Sequence, residues 1–309
     1  IDDNPFGSQP SQLTDIRTDV DPVKRQHRQV RQMEAHVQKL LLHAADQRND
    51  RFWKKVKPST GDNWAKDTTP YFEEFKHDVI GSFDNRRLPL NPRTRQFKET
   101  DKWVGHEVVL DVWKDVYAWG YLLVPKGMKP GEKRPVVVCQ HGLEGVPMDT
   151  ITEDQKSRAW GPYKGFSSAL CKRGFIVYAP QNPYRGHDRF RTLQRKSNPL
   201  KRSLFSFIIP QHERTLEWLA SLPNVDPDRI AFYGLLYGGK TAVRVPPMVV
   251  PRKGTAGYCL SICSADFNEW VKKNTSNEDR YSYVFTGEYE IFEWNMGHVA
   301  NYAELSNLM

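Results

Sequence analysis

The rhythm of apolar positions changes twice along this chain. Up to residue 22 the sequence is polar with no periodic apolar run, which predicts an extended arm. Val30, Met33, Val37, Leu40, Leu41 and Ala44 then recur at helical spacing, with Arg28, Arg31, Gln38 and Gln47 elsewhere on the wheel. This predicts an amphipathic helix over about residues 23–47, opened by Asp21 and Pro22. Residues 50–100 lose the periodicity. They are rich in Pro, Asn, Asp, Lys and Arg, with scattered aromatics at Trp53, Trp64, Tyr71, Phe72 and Phe75. An irregular segment wrapped over the core is expected, its aromatics serving as anchors.

Beyond residue 105 the pattern is that of strands. His106–Trp113 and Val116–Val124 predict a hairpin turning at Lys114 and Asp115. The runs 135–140, 174–179, 229–233 and 257–264 are apolar without alternation, the mark of strands buried on both faces. Helices are predicted at Phe166–Lys172, at Glu213–Leu222 and over about 240–249, the last interrupted by Pro246 and Pro247. A turn is predicted at Asn224–Asp228. Strands alternating with helices imply a mostly parallel sheet with right-handed crossovers, so the fold class is α/β. The expected organisation is an N-terminal arm, helix and wrapping segment over 1–100, followed by a core over 101–309.

Composition narrows the classes. The 309 residues are 39% hydrophobic and 12% aromatic, enough for a sizeable core, which excludes a wholly disordered chain. No apolar run approaches the ~18 residues of a membrane span, so no membrane partner is expected. The net charge of +8 permits an acidic polysaccharide or nucleic acid. Part of that excess is local, with Arg185, Arg189, Arg191, Arg195, Lys196, Lys201 and Arg202 set against Asp188 alone. That 185–202 segment is either a solvated loop or an anion-binding surface, and acidic polysaccharide is preferred over nucleic acid as its partner. Cys139, Cys259 and Cys263 sit in strand-like apolar runs, as small core residues do. Within one strand Cys259 and Cys263 would lie about 13 Å apart, too far for a disulfide. No metal-ligand spacing occurs, and neither metal nor cofactor is expected.

In a parallel α/β sheet, chemistry gathers at the carboxyl ends of the strands. Three ends are informative. Gln140-His141-Gly142-Leu143-Glu144-Gly145 follows one strand; Asn182, Tyr184, Arg185, Gly186 and His187 follow the next; Gly234-Leu235-Leu236-Tyr237-Gly238-Gly239 follows a third. The last has the spacing of a nucleophile elbow, G-x-S-x-G, whose glycines flank a strained central residue. Gly234 and Gly238 occupy the glycine positions, and the centre is Leu236, which cannot attack a carbonyl.

Together with Arg185-Gly186 and the Asp226-Pro227-Asp228-Arg229-Ile230 lead-in, these motifs resemble, from about residue 105 onward, serine α/β-hydrolases of the dienelactone hydrolase and acetyl xylan esterase type. The resemblance implies an α/β-hydrolase fold acting on small acyl or carbohydrate esters. It also implies an oxyanion hole from the amides of Leu143 and Tyr237. His141, Tyr184 and Arg185 would border the substrate pocket. His141 is favoured as a side chain that orders its loop. Arg185 either binds a substrate carboxylate or pairs with an acid such as Asp188. Two departures stand out. Leu236 replaces the nucleophile, and the chain stops at Met309, before the two further strands that carry the acid and histidine in such enzymes. Asp266 is the remaining candidate acid, and His298 a weaker candidate histidine, read first as structural. A truncated esterase-like pseudoenzyme without turnover is therefore expected, with an unpaired sheet edge that invites a homo-oligomer. The absence of an initiating Met points to an exported protein.

Two other classes stay open. A non-catalytic carbohydrate- or partner-binding module would use the same fold without a nucleophile. Gly234–Thr241 also satisfies G-x-x-x-x-G-K-[ST], the phosphate-binding loop, through Gly239, Lys240 and Thr241, with Asp266 as a possible magnesium-side acid.

Overall fold

The computed structural model describes residues 20–58, 61–185, 189, 192–251, 254–288 and 291–309. The chain divides into two units, one ending at His43 and the other running from Ala44 to Met309.

In the first unit, helix Pro22–Leu42 opens where predicted. The Asp21 carboxylate accepts the Val23 and Lys24 amides at 3.0 and 3.1 Å, and Pro22 supplies the first helical position without an orphan N–H. The helix ends at Leu42 rather than near 47, and Ala44–Arg48 is a separate short helix. No residue of Pro22–Leu42 is buried, and its apolar stripe of Val30, Met33, Val37 and Leu40 lies about half exposed.

The second unit is built on a seven-stranded sheet: β1 (Arg93–Glu99), β2 (Trp103–Trp113), β3 (Val116–Pro125), β4 (Arg134–Gln140), β5 (Ile176–Pro180), β6 (Val225–Leu235) and β7 (Leu260–Ser264). Their order is β1-β2-β3-β5-β4-β6-β7. β2 and β3 form the predicted hairpin, turning at Asp115 with φ +70°. β3 runs antiparallel to β5, while β5, β4, β6 and β7 are mutually parallel. This is the mostly parallel sheet flanked by helices that the sequence pattern and the motifs implied. Val137, Cys139, Val177 and Ala179 face one side and pack with Trp103, Leu123, Ile151 and Cys171. Val136, Val138, Ile176, Ile230 and Phe232 are equally buried, which is why β4 and β5 read as continuous apolar runs.

Several expectations are corrected. Residues 50–100 are largely regular: single π-type turns at Asn49–Trp53 and Phe75–Ile80 flank helix Asp62–Glu74, and β1 follows. Trp64, Thr68, Phe72 and Phe75 do recur at helical spacing, but a threonine interrupts the apolar stripe. The aromatics are anchors as expected: the Trp53 indole donates to Glu304 (2.6 Å), and the Trp64 indole to the Asn307 carbonyl (2.7 Å). The helix predicted at Glu213–Leu222 begins at Phe205. The turn predicted at Asn224–Asp228 is instead an irregularity within β6, whose pairing with β4 jumps from Val225 to Ile230.

Helix Tyr237–Met248 is continuous through its prolines. Pro246 has no N–H for the Ala242 carbonyl, and the Ser261 hydroxyl donates to that carbonyl instead, at 2.7 Å. The run 257–264 is not buried on both faces. β7 ends the sheet, and Leu260 and Ile262 are about half exposed. Cys259 is exposed and Cys263 half-buried, so neither is a core residue, whereas Cys139 and Cys171 are.

Candidate active site

The elbow is built from steric necessity. A Cβ on Gly234 would lie 1.9 Å from the Gly238 carbonyl oxygen, and one on Gly238 would lie 2.3 Å from that of Gln140. Both positions therefore exclude any side chain, and the turn brings the end of β6 against the end of β4. Between them Leu236 sits at φ +58°, ψ −116°, a conformation that costs a non-glycine residue about 1–3 kcal/mol. Its amide donates to the Ser264 carbonyl (3.1 Å), and its own carbonyl accepts the Lys240 amide (3.0 Å), opening the helix. The Leu236 side chain is about half exposed. The strained centre of this turn thus presents a hydrocarbon side chain to the surface.

The loop after β4 lies directly beside it. A Cβ on Gly142 would meet Leu236 Cβ at 3.2 Å and the Tyr163 hydroxyl at 2.8 Å. His141 is fully buried: its Nδ1–H donates to the Gly142 carbonyl (2.6 Å), and its Nε2 accepts the Asn182 amide (3.2 Å). Burial pushes its pKa down to about 4, so the ring is neutral at pH 7. His141, fully buried, ties two loops together, and the pocket-border position implied by the resemblance is not where the structure puts it. Tyr163, which the sequence reading missed, accepts the Gly142 amide at 2.8 Å. The Leu143 amide has no partner among the described residues, and Tyr237 opens the elbow helix as its first residue.

Of the remaining candidates, Asp266 lies against the elbow helix: a Cβ on Gly239 would stand 3.0 Å from its Cβ. Asp266 follows β7, but its carboxylate accepts the Tyr302 hydroxyl at 2.6 Å. His298 pairs through Nδ1 with the Asn295 side chain (3.0 Å) on the short helix Met296–Val299, a local structural contact. Tyr184 is buried and its hydroxyl accepts the Gln194 amide at 3.0 Å, so it anchors a loop rather than bordering a pocket. Arg185 is exposed, and the Asp188 pairing considered for it, together with Gly186, His187 and Arg191, lies outside the described residues. Arg189, Arg195, Lys196 and Lys201 are exposed, and Arg202 is half-buried.

One cluster was invisible in the sequence. Lys240 and Arg244, on the elbow helix, both bind the Glu293 carboxylate: Lys240 Nζ and Arg244 Nε lie 2.8 Å from it, and Arg244 Nη2 lies 3.2 Å away. Arg244 Nη1 also reaches the Tyr302 hydroxyl at 3.2 Å. Burial opposes the charge on Glu293, yet the two cations hold its carboxyl below the usual range. Burial drives Lys240 down to about 8 against the pull of Glu293. Lys240 is also packed over the Phe205 and Tyr237 rings. A phosphate-binding lysine must reach outward, so this geometry removes the nucleotide reading of Gly234–Thr241. Only partners distant in sequence, Glu293 and Tyr302, could have revealed the cluster.

Among the described residues no group of three metal-ligating side chains occurs, and no helix is long and apolar enough to cross a membrane.

No protein-family model matches the chain. Among solved structures, it is similar to one from Bacteroides fragilis NCTC 9343 (14% identity, TM-score 0.49, covering 60% of this chain and 51% of that one). It is also similar to acetyl xylan esterase 1 from Thermoanaerobacterium sp. JW/SL YS485 (13%, TM-score 0.41, 63% and 57%). A third is a glucuronoyl esterase from Solibacter usitatus (14%, TM-score 0.44, 61% and 57%). The chain spans just over half the length of these structures. Likeness at this level says nothing about substrate.

Proposed function

We propose that this chain is the scaffold of a carboxylic ester hydrolase, of the acyl or carbohydrate ester class, that does not turn over esters as it stands. The observation behind this reading is the strained, glycine-flanked Leu236 beside the Gly142–Leu143 loop. With serine there, the hydroxyl would attack an ester carbonyl, and the Leu143 and Tyr237 amides would hold the oxyanion while an acyl-enzyme formed. Leucine offers no lone pair for that step. In this reading Asp266 and His298, bonded to Tyr302 and Asn295, serve as structural side chains rather than as the acid and base of an elbow nucleophile.

The test is p-nitrophenyl acetate hydrolysis against a heat-killed control, with Leu236→Ser alongside. Neither protein is expected to exceed the control, because the serine would lack its base. Turnover by the parent would overturn the reading. Turnover by Leu236→Ser alone would mean that a base is in place after all.

A second reading, a non-catalytic carbohydrate-binding module, is favoured by the exposed indole of Trp294 and by the basic 185–202 segment. Retained polysaccharide affinity without hydrolysis would single it out.

A further inference from the structure

Helix Pro22–Leu42 runs for 21 residues, about 30 Å, without burying one of them. Helical stability in a protein comes mostly from packing an apolar face, and here that face is open. Val23, Val30, Met33, Val37 and Leu40 are each between 49% and 59% exposed. We propose that this face pairs with the same helix of a second copy in a parallel two-stranded coiled coil. Val23, Val30 and Val37 form one row of the seam, and Met33 and Leu40 belong to the other. This pairing is independent of the esterase reading, since it needs neither a nucleophile nor a substrate pocket.

The first observation is spacing. Val23, Val30 and Val37 stand seven residues apart, and so do Gln26, Met33 and Leu40. Residues seven apart drift by only about 20° on a straight helix, so the two rows make one narrow seam. A slight left-handed supercoil keeps such a seam facing its partner along the whole length. The rows are the a and d positions of three heptads, and valine at a with leucine at d favours two parallel strands. Gln26 is the one polar residue in the seam, at the end where the helix begins.

The second observation is where the charge stands, and it selects the occupant. A helix this basic repels its own copy if cations flank the seam. Lys24, Arg25, Arg28, Arg31 and Lys39 instead all fall at the outward b, c and f positions. The flanking e and g positions hold His27, Gln29, Glu34 and His36. In the parallel register Gln29 of each copy comes opposite Glu34 of the other, an amide donor facing a carboxylate, and no Lys or Arg meets another across the seam. A lipid surface fits less well: helices that lie on membranes present Trp, Phe or Leu, whereas the main row here is valine.

The test is sedimentation velocity of the full chain at rising concentration, where the mass should reach twice that of one chain. Met33→Lys sets two ammonium groups face to face in the seam and should weaken the dimer about a hundredfold. Ala35→Lys adds the same charge at an outward position and should change it by less than about threefold. Gln26→Leu fills the polar layer and should tighten it about tenfold. All three positions are exposed, and circular dichroism checks that each variant keeps the parent's fold. Leu260→Lys, on the edge strand β7, should leave this dimer intact. A single-chain mass up to about 100 µM, equal effects of Met33→Lys and Ala35→Lys, or a dimer lost through Leu260→Lys would each overturn the pairing. So would a chain that stays single in solution and floats instead with phosphatidylserine vesicles. Mass is read without any ester, so failure here is separable from failure of the esterase reading.

Discussion

Replacing Glu293 by glutamine keeps the shape of the side chain and removes its charge from between two buried cations. The carboxylate side chain is 2% exposed, and Lys240 and Arg244 are 4% and 0% exposed, so solvent cannot screen what is left. Stripping one partner from a buried ion cluster costs about 3–5 kcal/mol, a large part of the ~5–15 kcal/mol that holds a domain together. The lower end is expected here, since Lys240 already stands near 8 and can shed its proton once Glu293 no longer attracts it. The assay is urea unfolding followed by circular dichroism, with parent and variant compared from pH 6 to 9. The gap should narrow as pH rises toward about 8, because the variant's lysine deprotonates earlier than the parent's. Lys240→Met leaves the Arg244–Glu293 pair intact and should stay within about 1 kcal/mol of the parent. A Glu293→Gln cost under about 1 kcal/mol, or an equal cost for Lys240→Met, would refute the claim that a charge imbalance governs this cluster.

Two further outcomes follow from the geometry. Gly234→Ala would place a Cβ 1.9 Å from a backbone oxygen and should cost more than about 3 kcal/mol in thermal unfolding. Gly161→Ala, with nothing within 4 Å, should shift stability by less than about 1 kcal/mol. Burial lowers His141 to about 4 and His212 to about 3, from an ordinary 6.5. Both are neutral in the fold but gain protons in the unfolded chain below pH 6.5. Stability should therefore fall on acidification from about 6.5, by about 1.4 kcal/mol per pH unit for each histidine until its folded pKa is reached. His141→Gln should flatten that slope in unfolding curves measured from pH 7 to 4.5.

Much of the sheet was legible because its strands are short and unambiguous. β4 and β5 are buried on both faces and read as unbroken apolar runs, and the Lys114–Asp115 turn marked the β2–β3 hairpin. The elbow was legible for a different reason: Gly234 and Gly238 are the residues that backbone contact demands. What escaped depended on tertiary partners. Helix Asp62–Glu74 hides behind a polar stripe, and the proline-bearing end of the elbow helix is maintained by Ser261 on β7, which lies well downstream of Pro246 and Pro247. Asp266 and Tyr184 were nominated by their places after strands, yet their bonds to Tyr302 and Gln194 give them structural work. Position along the chain says which loop a side chain occupies, but its hydrogen bonds decide what remains available for chemistry.

β7 closes the sheet with Leu260-Ser261-Ile262-Cys263-Ser264, a strand without a lysine, a proline or any acid. Those are the residues that ordinarily stop one sheet from growing into another. A second molecule docking antiparallel there would meet no like charge and would cover Leu260 and Ile262, so that one ladder ran through both copies. Such pairing would make the apparent mass rise with concentration in light scattering, and Ile262→Lys, which sets a charge on that rim, would hold the molecules apart there.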